Sequence, residues 1–315
     1  LSPHTNYVYS NSAPTSKKPK GVIKTGARYY REQNASIHRG AYTLPVPPSK
    51  ANEQARRTLA RFIGADEREI VFVRNTTEAL NLVAYAWGLR NLRPGDEILL
   101  TEMEHHANLV PWHLLCERTG ARIKAIPLGP DGRLELEALD SLLSHRVKLV
   151  SVMHVSNVLG TVNPIAQIAH AAKAVGALMV VDGAQSVPHM PVDVRALGAD
   201  FYAFSGHKML GPTGVGVLWG RYEALETLAP FLGGGSMIRE VYVDRSTYAK
   251  PPQRFEAGTP AVAEAIGLAA AAEYLIRLGM EQVWQHELEL VSYALKRLDE
   301  ELPEVRTFGP RGPDR

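Results

Sequence analysis

The chain has 315 residues with a formal net charge of +2, and 45% of its residues are hydrophobic. Such a chain can bury a full core. Its near-neutral charge gives no reason to expect nucleic acid as a partner, and no apolar run approaches the ~20 residues that span a membrane. The single cysteine, Cys116, excludes an internal disulfide and, with no secretory signal at the start, predicts the cytoplasm.

Seven short runs of strand-forming residues begin at about residue 69 and are mostly separated by helical stretches. The runs are EIVFVR, DEILLTE, RIKAIPL, VKLVSVMHVS, ALMVVDGAQ, ADFYAFSGH and GVGVLWG. Alternation of this kind predicts an α/β fold, with a mostly parallel sheet and helices on both faces. Only a short turn precedes the last run, so one strand is expected to be antiparallel.

The C-terminal third has a different pattern. Residues 232–260 are predicted to form a long irregular excursion, residues 261–279 and 280–302 two long helices, and residues 305–315 a strand and turn. We therefore expect an N-terminal arm (1–20), a large ligand-binding domain (21–265), and linking helices that begin an incomplete small domain (266–315).

Polar residues follow five of the predicted strands. They are Asn75 to Thr77, Glu104 to His106, His154 with Asn157, Asp182 to Gln185, and Ser205 to Lys208. Ligands of open parallel sheets bind beyond the carboxyl ends of the strands, so a site is predicted at this edge.

Two of these groups allow both a structural and a functional interpretation. Asn75 and Glu78 have the spacing of a helix cap, but the same helix start could hold a phosphate with its free N–H groups. Asp182 follows four apolar residues, and a buried carboxylate needs a cation or donors beside it. It could be a helix cap or an ion-pair partner, or it could face a protonated ring nitrogen.

Lys208 could be a solvated loop residue or a nucleophilic amine that has lost its proton through burial or nearby positive charge, for example on His207. His105 could stack on an aromatic ring, whereas adjacent histidines without further ligands do not predict a metal site. A lysine, a strand-end aspartate, an anion-binding helix start and a stacking histidine together match the needs of pyridoxal 5′-phosphate (PLP).

Several longer motifs carry a family resemblance. They are MEHHANLVPW, HVSNVLGTVNP, VDGAQSVPHMPVDV, FSGHKMLGPTGVGVL, GGGSMI and RFEAGTP. From about residue 19 onward the chain resembles the SufS-type (group II) cysteine desulfurases of the class V aminotransferase group, which have the fold-type I architecture of PLP-dependent transferases.

The resemblance implies a role for each matching residue. Lys208 would bond to PLP and move the Cα proton, and His105 would stack on the ring as an acid–base group. The remaining implied contacts are Asp182 with the ring nitrogen, Gln185 with the ring oxygen, Thr76, Thr77, Ser205 and His207 with the phosphate, Asn157 with the ring oxygen and substrate carboxylate, His38 and Arg39 with the substrate pocket, and Thr259 with the phosphate of a neighbouring subunit.

The implied reaction converts L-cysteine to L-alanine in a homodimer. A protein cysteine takes the sulfur as a persulfide and passes it to an acceptor protein for iron–sulfur cluster assembly. That cysteine belongs to a C-terminal region that these 315 residues are expected to lack, and Cys116 lies in an amphipathic pattern typical of packing.

Three alternatives stay open on the sequence. The first is a related enzyme such as a selenocysteine lyase, and the second is a non-catalytic body that only binds partners. The third is a nicotinamide oxidoreductase, which would need a glycine-rich turn between a strand and a helix. The GPTGVG stretch instead precedes another predicted strand.

Overall fold

The computed structural model of the protein describes residues 11–33 and 48–312. Within them, helices α1 to α11 are Lys20–Arg28, Pro48–Phe62, Thr76–Val83, Leu89–Asn91, Val110–Thr119, Leu139–Leu142, Ile165–Ala174, Ser186–His189, Tyr222–Thr227, Val262–Leu278 and Met280–Glu301. Strands β1 to β9 of the same residues are Ile70–Val73, Glu97–Thr101, Arg122–Ile126, Val147–Met153, Leu178–Asp182, Phe201–Ser205, Gly216–Gly220, Ile238–Val241 and Ser246–Tyr248.

The first seven strands form one sheet in the order β1-β7-β6-β5-β4-β2-β3. Strand β7 pairs antiparallel with both β1 and β6, and the other pairs are parallel. All seven predicted strands are therefore confirmed, as is the antiparallel strand after the short turn. Because only β7 is reversed, the carboxyl ends of β1, β2, β4, β5 and β6 lie at one edge.

Both faces of the sheet are covered, as the α/β pattern predicts. In β2, Leu99 packs into one hydrophobic cluster while Ile98 and Leu100 pack into another. Since successive side chains of a strand point to opposite faces, the two clusters lie on opposite sides of the sheet. Helices α2, α7 and α10 contribute to the first cluster, and α3, α5 and α9 to the second.

Two sequence-based expectations about the C-terminal third are wrong. The excursion over residues 232–260 is not irregular throughout, because β8 and β9 pair as an exposed antiparallel ribbon. Its tight turn has no glycine or asparagine, so the usual hairpin signal is missing. Residues 305–312 contain no strand, since Gly309 and Pro310 end the alternating segment of residues 305–308 after four residues and proline lacks a backbone donor.

The long helices at residues 261–279 and 280–302 are confirmed as α10 and α11. Helix α10 is buried along much of its length, whereas α11 has no fully buried residue. No helix among the described residues has the length and apolar character to cross a membrane.

Candidate active site

A cavity of about 440 Å³ opens at the carboxyl edge of the sheet. All five predicted strand-end groups contribute to it, so their convergence is confirmed. The contributing side chains lie at the strand ends or just beyond them: Thr76 and Thr77 for β1, His105 for β2, Asn157 for β4, Asp182 and Gln185 for β5, and Ser205, His207 and Lys208 for β6.

Lys208 lies in the tight loop between β6 and β7 and is partly buried. Burial lowers the pKa of its amine, and the nearby Asp182 carboxylate only partly opposes this shift. The loop is compact because the Gly206 N–H donates to the Val215 carbonyl oxygen at 2.9 Å. A Cβ at Gly206 would lie 2.9 Å from that same oxygen, so only glycine fits there without a shift. The amine is thus held inside the cavity rather than in bulk solvent.

Asp182 ends β5 and has only 4% of its surface exposed. Burial raises the pKa of its carboxyl group, while the Ala184 N–H donates to Oδ1 at 2.9 Å. Among the described residues this is the one hydrogen bond that the side chain accepts. A buried carboxylate with a single donor and an open cavity beside it can stabilise a cation, so it fits a protonated ring nitrogen.

A buried network beneath Asp182 fixes this strand end. The Tyr202 hydroxyl lies 2.8 Å from Nδ1 of His154 and 2.5 Å from Oγ of Ser186. A Cβ at Gly183 would lie 2.0 Å from the Tyr202 ring, so the glycine lets the aspartate loop lie against the ring. Sequence reasoning missed this role of Tyr202, because a tyrosine in an apolar strand gives no signal beyond core packing.

His105 follows β2 and lies at the mouth of the cavity. Its Nδ1 accepts the Ala107 N–H at 3.0 Å, so in the neutral ring the proton resides on Nε2. Burial lowers the pKa of His105, and the nearby Asp182 partly opposes that shift. The neutral imidazole can therefore stack on a ring or donate from Nε2.

The backbone before His105 is anchored by Glu104. Its carboxyl group accepts from the Thr101 hydroxyl at 2.7 Å, the Asn108 amide at 2.6 Å and the Met153 N–H at 3.0 Å. Burial raises the pKa of Glu104 to about 8 despite these donors. The network joins the ends of β2 and β4 on one side of the cavity.

The raised pKa of Glu104 predicts a pH-dependent stability. The folded-state pKa of about 8 exceeds the unfolded value of 4.5. The contribution of protonated Glu104 to the stability of the folded state is therefore complete below pH 4.5 and is lost as the pH rises through 8. Relative to Glu104→Gln, the free energy of unfolding should fall by up to about 1.4 kcal/mol per pH unit in this window. Urea unfolding at several pH values measures it.

The exposed Glu102→Gln is the matched control, since Glu102 also accepts a backbone N–H, from Leu128 at 3.1 Å. Its profile should follow that of the unsubstituted protein. Parallel profiles for Glu104→Gln and the unsubstituted protein would contradict the assignment of the shift to Glu104.

The start of α3 provides both the predicted cap and an anion cradle. Asn75 Oδ1 accepts the Glu78 N–H at 2.9 Å, which confirms the capping interaction. Ser205 Oγ accepts the Thr76 N–H at 2.8 Å and lies 2.7 Å from Thr76 Oγ1. One of these two hydroxyl protons stays available to an anion. The Thr77 N–H belongs to the first turn of α3, where backbone N–H groups have no partner within the helix. The helix start therefore fits a phosphate.

The surroundings of three predicted residues could not be read from the sequence. The Gln185 amide donates to the Ala13 carbonyl oxygen at 3.1 Å, so the N-terminal segment lies against the cavity. Burial, followed by the charges of Lys208 and Lys18, lowers the pKa of His207, so this ring does not supply the positive charge suggested by the sequence. Asn157 is exposed at the rim.

One other predicted residue, Thr259, does not line this cavity, and two more cannot be placed. Thr259 is exposed and lines a separate cavity with Arg74 and Phe231. His38 and Arg39 lie outside the described residues. Within residues 11–33 and 48–312, no group of three or more histidine, cysteine or acidic side chains could hold a metal ion.

The family follows from comparison with known sequences. The aminotransferase class-V family matches residues 8–315. The chain belongs to this family. Among its relatives, a probable cysteine desulfurase of Synechocystis is 49% identical over 304 residues, covering 96% of this chain and 72% of the relative.

Solved structures agree with this placement and with the fold-type I architecture. The apo cysteine desulfurase of Thermococcus onnurineus NA1 has a TM-score of 0.92 and 42% identity, over 96% of this chain and 75% of that one. A variant of the enzyme C-DES with glycine covalently linked to its PLP cofactor has a TM-score of 0.85 and 26% identity, over 98% and 82%.

The structure removes the nicotinamide oxidoreductase alternative. The glycine-rich GPTGVG stretch joins β6 to the antiparallel β7, with no helix between them. A dinucleotide-binding turn must lead from a strand into a helix, whose N-terminus holds the pyrophosphate.

Proposed function

We propose that this protein is a PLP-dependent cysteine desulfurase that converts L-cysteine to L-alanine. The observation that carries the proposal is that the Lys208 amine and the Asp182 carboxylate line one cavity, together with Thr76 and Thr77 at the start of α3. The names of the relatives at about half identity support the substrate. When bound, PLP supplies an electron sink that makes the Cα proton of an amino acid removable.

Each cavity residue has a role that suits its surroundings. Lys208 would bond to the cofactor and, because burial favours its neutral amine, would move the Cα proton. Asp182 would stabilise the protonated ring nitrogen, and His105 would cover the ring with an Nε2 proton available for transfer. The other contacts are Gln185 with the ring oxygen, Thr76, Thr77, Ser205 and His207 with the phosphate, and Asn157 with the ring oxygen and substrate carboxylate.

The sulfur-accepting cysteine is not Cys116. Its side chain is partly buried against the cluster on the α5 face, and burial raises the pKa of the thiol. A raised pKa leaves less thiolate, which is the nucleophilic form.

In the complete protein, Cys116→Ala should release sulfur from L-cysteine at a rate within about twofold of that of the unsubstituted protein, because the thiol only packs against apolar neighbours. A sulfide assay with a thiol reductant measures this. Leu115→Ala, which truncates a buried neighbour, controls for losses caused by packing alone. A Cys116→Ala variant that folds but releases no sulfur would contradict the structural role.

The active unit is a homodimer with shared sites. Thr259 lies outside the active-site cavity of its own subunit and is exposed. Such a position is expected of a residue that contacts the phosphate bound by a neighbouring subunit. The family resemblance assigns His38 and Arg39 to binding of the substrate. The sulfur then passes to an acceptor protein for iron–sulfur cluster assembly, in the cytoplasm.

Sedimentation of the PLP-loaded protein should show a dimer, and Thr259→Val should weaken PLP binding by about tenfold through loss of one charge-assisted hydrogen bond. Thr247→Val, on the exposed ribbon, is a control for a surface threonine. A fully active monomer would contradict the shared site.

The function is tested by incubating the complete protein with PLP and L-cysteine and measuring alanine by chromatography. We expect equal amounts of alanine and released or protein-bound sulfur. Production of pyruvate and ammonia instead of alanine would overturn the desulfurase assignment. Activity with selenocysteine but not cysteine would also overturn it.

A further inference from the structure

The carbonyl oxygen of His207 accepts from four donors of the N-terminal segment. They are Lys18 Nζ at 2.8 Å, Ser16 Oγ at 3.0 Å, the Ser16 N–H at 3.1 Å and Thr15 Oγ1 at 3.2 Å. A carbonyl oxygen has two lone pairs, so four donors are an unusual concentration. This carbonyl belongs to the peptide bond that leads directly into Lys208.

The same segment also holds the other side of Lys208. Ser16 Oγ accepts the Leu210 N–H at 2.9 Å. Leu210 has φ of 64°, a left-handed conformation that a leucine rarely adopts without support from its surroundings. Thr15, Ser16 and Lys18, here called the N-terminal clamp, therefore bind the backbone before Lys208, and Ser16 also binds the backbone after it.

Lys18 is the charged member of this clamp. It is partly buried, and its ammonium group also donates to the Ser16 carbonyl oxygen at 2.6 Å. Burial lowers its pKa, and no described carboxylate offsets that shift. A partly buried ammonium without a described carboxylate is costly, so its strong charge-assisted bond goes to the backbone that presents Lys208.

We propose that Lys18 is a positioning residue that holds the backbone of Lys208 so that its amine reaches the cofactor. This inference rests on the proposed function, because it concerns attachment of PLP to Lys208. Lys18 itself touches the loop backbone and does not line the cavity.

The test compares two ligands in the complete apoprotein carrying Lys18→Met. The first is PLP, whose covalent attachment is followed by borohydride reduction at timed intervals and intact mass. The second is pyridoxamine 5′-phosphate, which has an amine in place of the aldehyde and cannot bond to Lys208. Lys24→Met is the matched control, since Lys24 is exposed on α1, and Lys18→Arg tests rescue by retained charge.

We expect Lys18→Met to slow covalent attachment by about tenfold, with Lys18→Arg restoring most of the rate. Affinity for pyridoxamine 5′-phosphate should stay within about twofold of the Lys24→Met control, because the cavity itself is intact. Equal weakening of both ligands would show a general structural defect and overturn the proposal, as would an unchanged attachment rate. If the unsubstituted protein attached no PLP, the proposed function would fail first, and this inference with it.

Discussion

Lys208→Ala is expected to abolish covalent attachment of PLP and to reduce turnover of L-cysteine by about 10²–10⁴-fold or more. The substitution removes the partly buried amine in the cavity, and with it both the bond to the cofactor and the base that moves the Cα proton. Intact mass after borohydride reduction measures attachment, and alanine formation measures turnover.

Lys20→Ala provides a control, because Lys20 is an exposed lysine at the start of α1. It should retain one reducibly attached cofactor per chain and normal turnover. If Lys208→Ala still carried a covalently attached cofactor after reduction, another lysine would have to be the attachment site.

Asp182→Asn should lower turnover by at least about 100-fold while leaving the fold intact, since one preorganised electrostatic partner of the reacting group is lost. The asparagine can still accept the Ala184 N–H, which lies 2.9 Å from the carboxylate in the structure. The neutral side chain cannot balance the positive charge of a protonated ring nitrogen. Steady-state kinetics and thermal unfolding together separate the catalytic loss from a loss of structure.

Asp193→Asn is a closely matched control for this change. Asp193 accepts the N–H two residues later, from Arg195 at 2.9 Å, as Asp182 does from Ala184, but it is exposed and outside the cavity. Its turnover should be normal. Equal activity of Asp182→Asn and Asp193→Asn would remove Asp182 from the mechanism.

Much of the sheet and the place of the site could be predicted from the sequence. Most of the seven strands are apolar runs rich in β-branched or aromatic residues, such as Ile70–Val73 and Phe201–Ser205, so local preference and tertiary packing agree in them. The polar ends then converge for a geometric reason, because parallel strands share one carboxyl edge. Lys208 and Asp182 are 26 positions apart in the chain. They are nevertheless close in the sheet, because Asp182 ends β5 and Lys208 follows the adjacent strand β6.

Other features depend on contacts that no local pattern encodes. The docking of Ser16 and Lys18 on the His207 carbonyl joins positions 191 and 189 apart. The contact of Gly183 with Tyr202 depends on the pairing of β5 with β6, and the ribbon of β8 and β9 lacks a glycine turn. The division into an arm, a large domain and a small domain stays a prediction, as do the individual site roles.

A crystal structure of the complete protein with PLP would show directly whether Lys208 holds the cofactor. We predict continuous density between Nζ of Lys208 and the aldehyde carbon of the cofactor, with the ring nitrogen within hydrogen-bond distance of an Asp182 oxygen. A PLP molecule bound elsewhere, or one in this cavity with Lys208 turned to solvent and Asp182 away from the ring, would contradict the account.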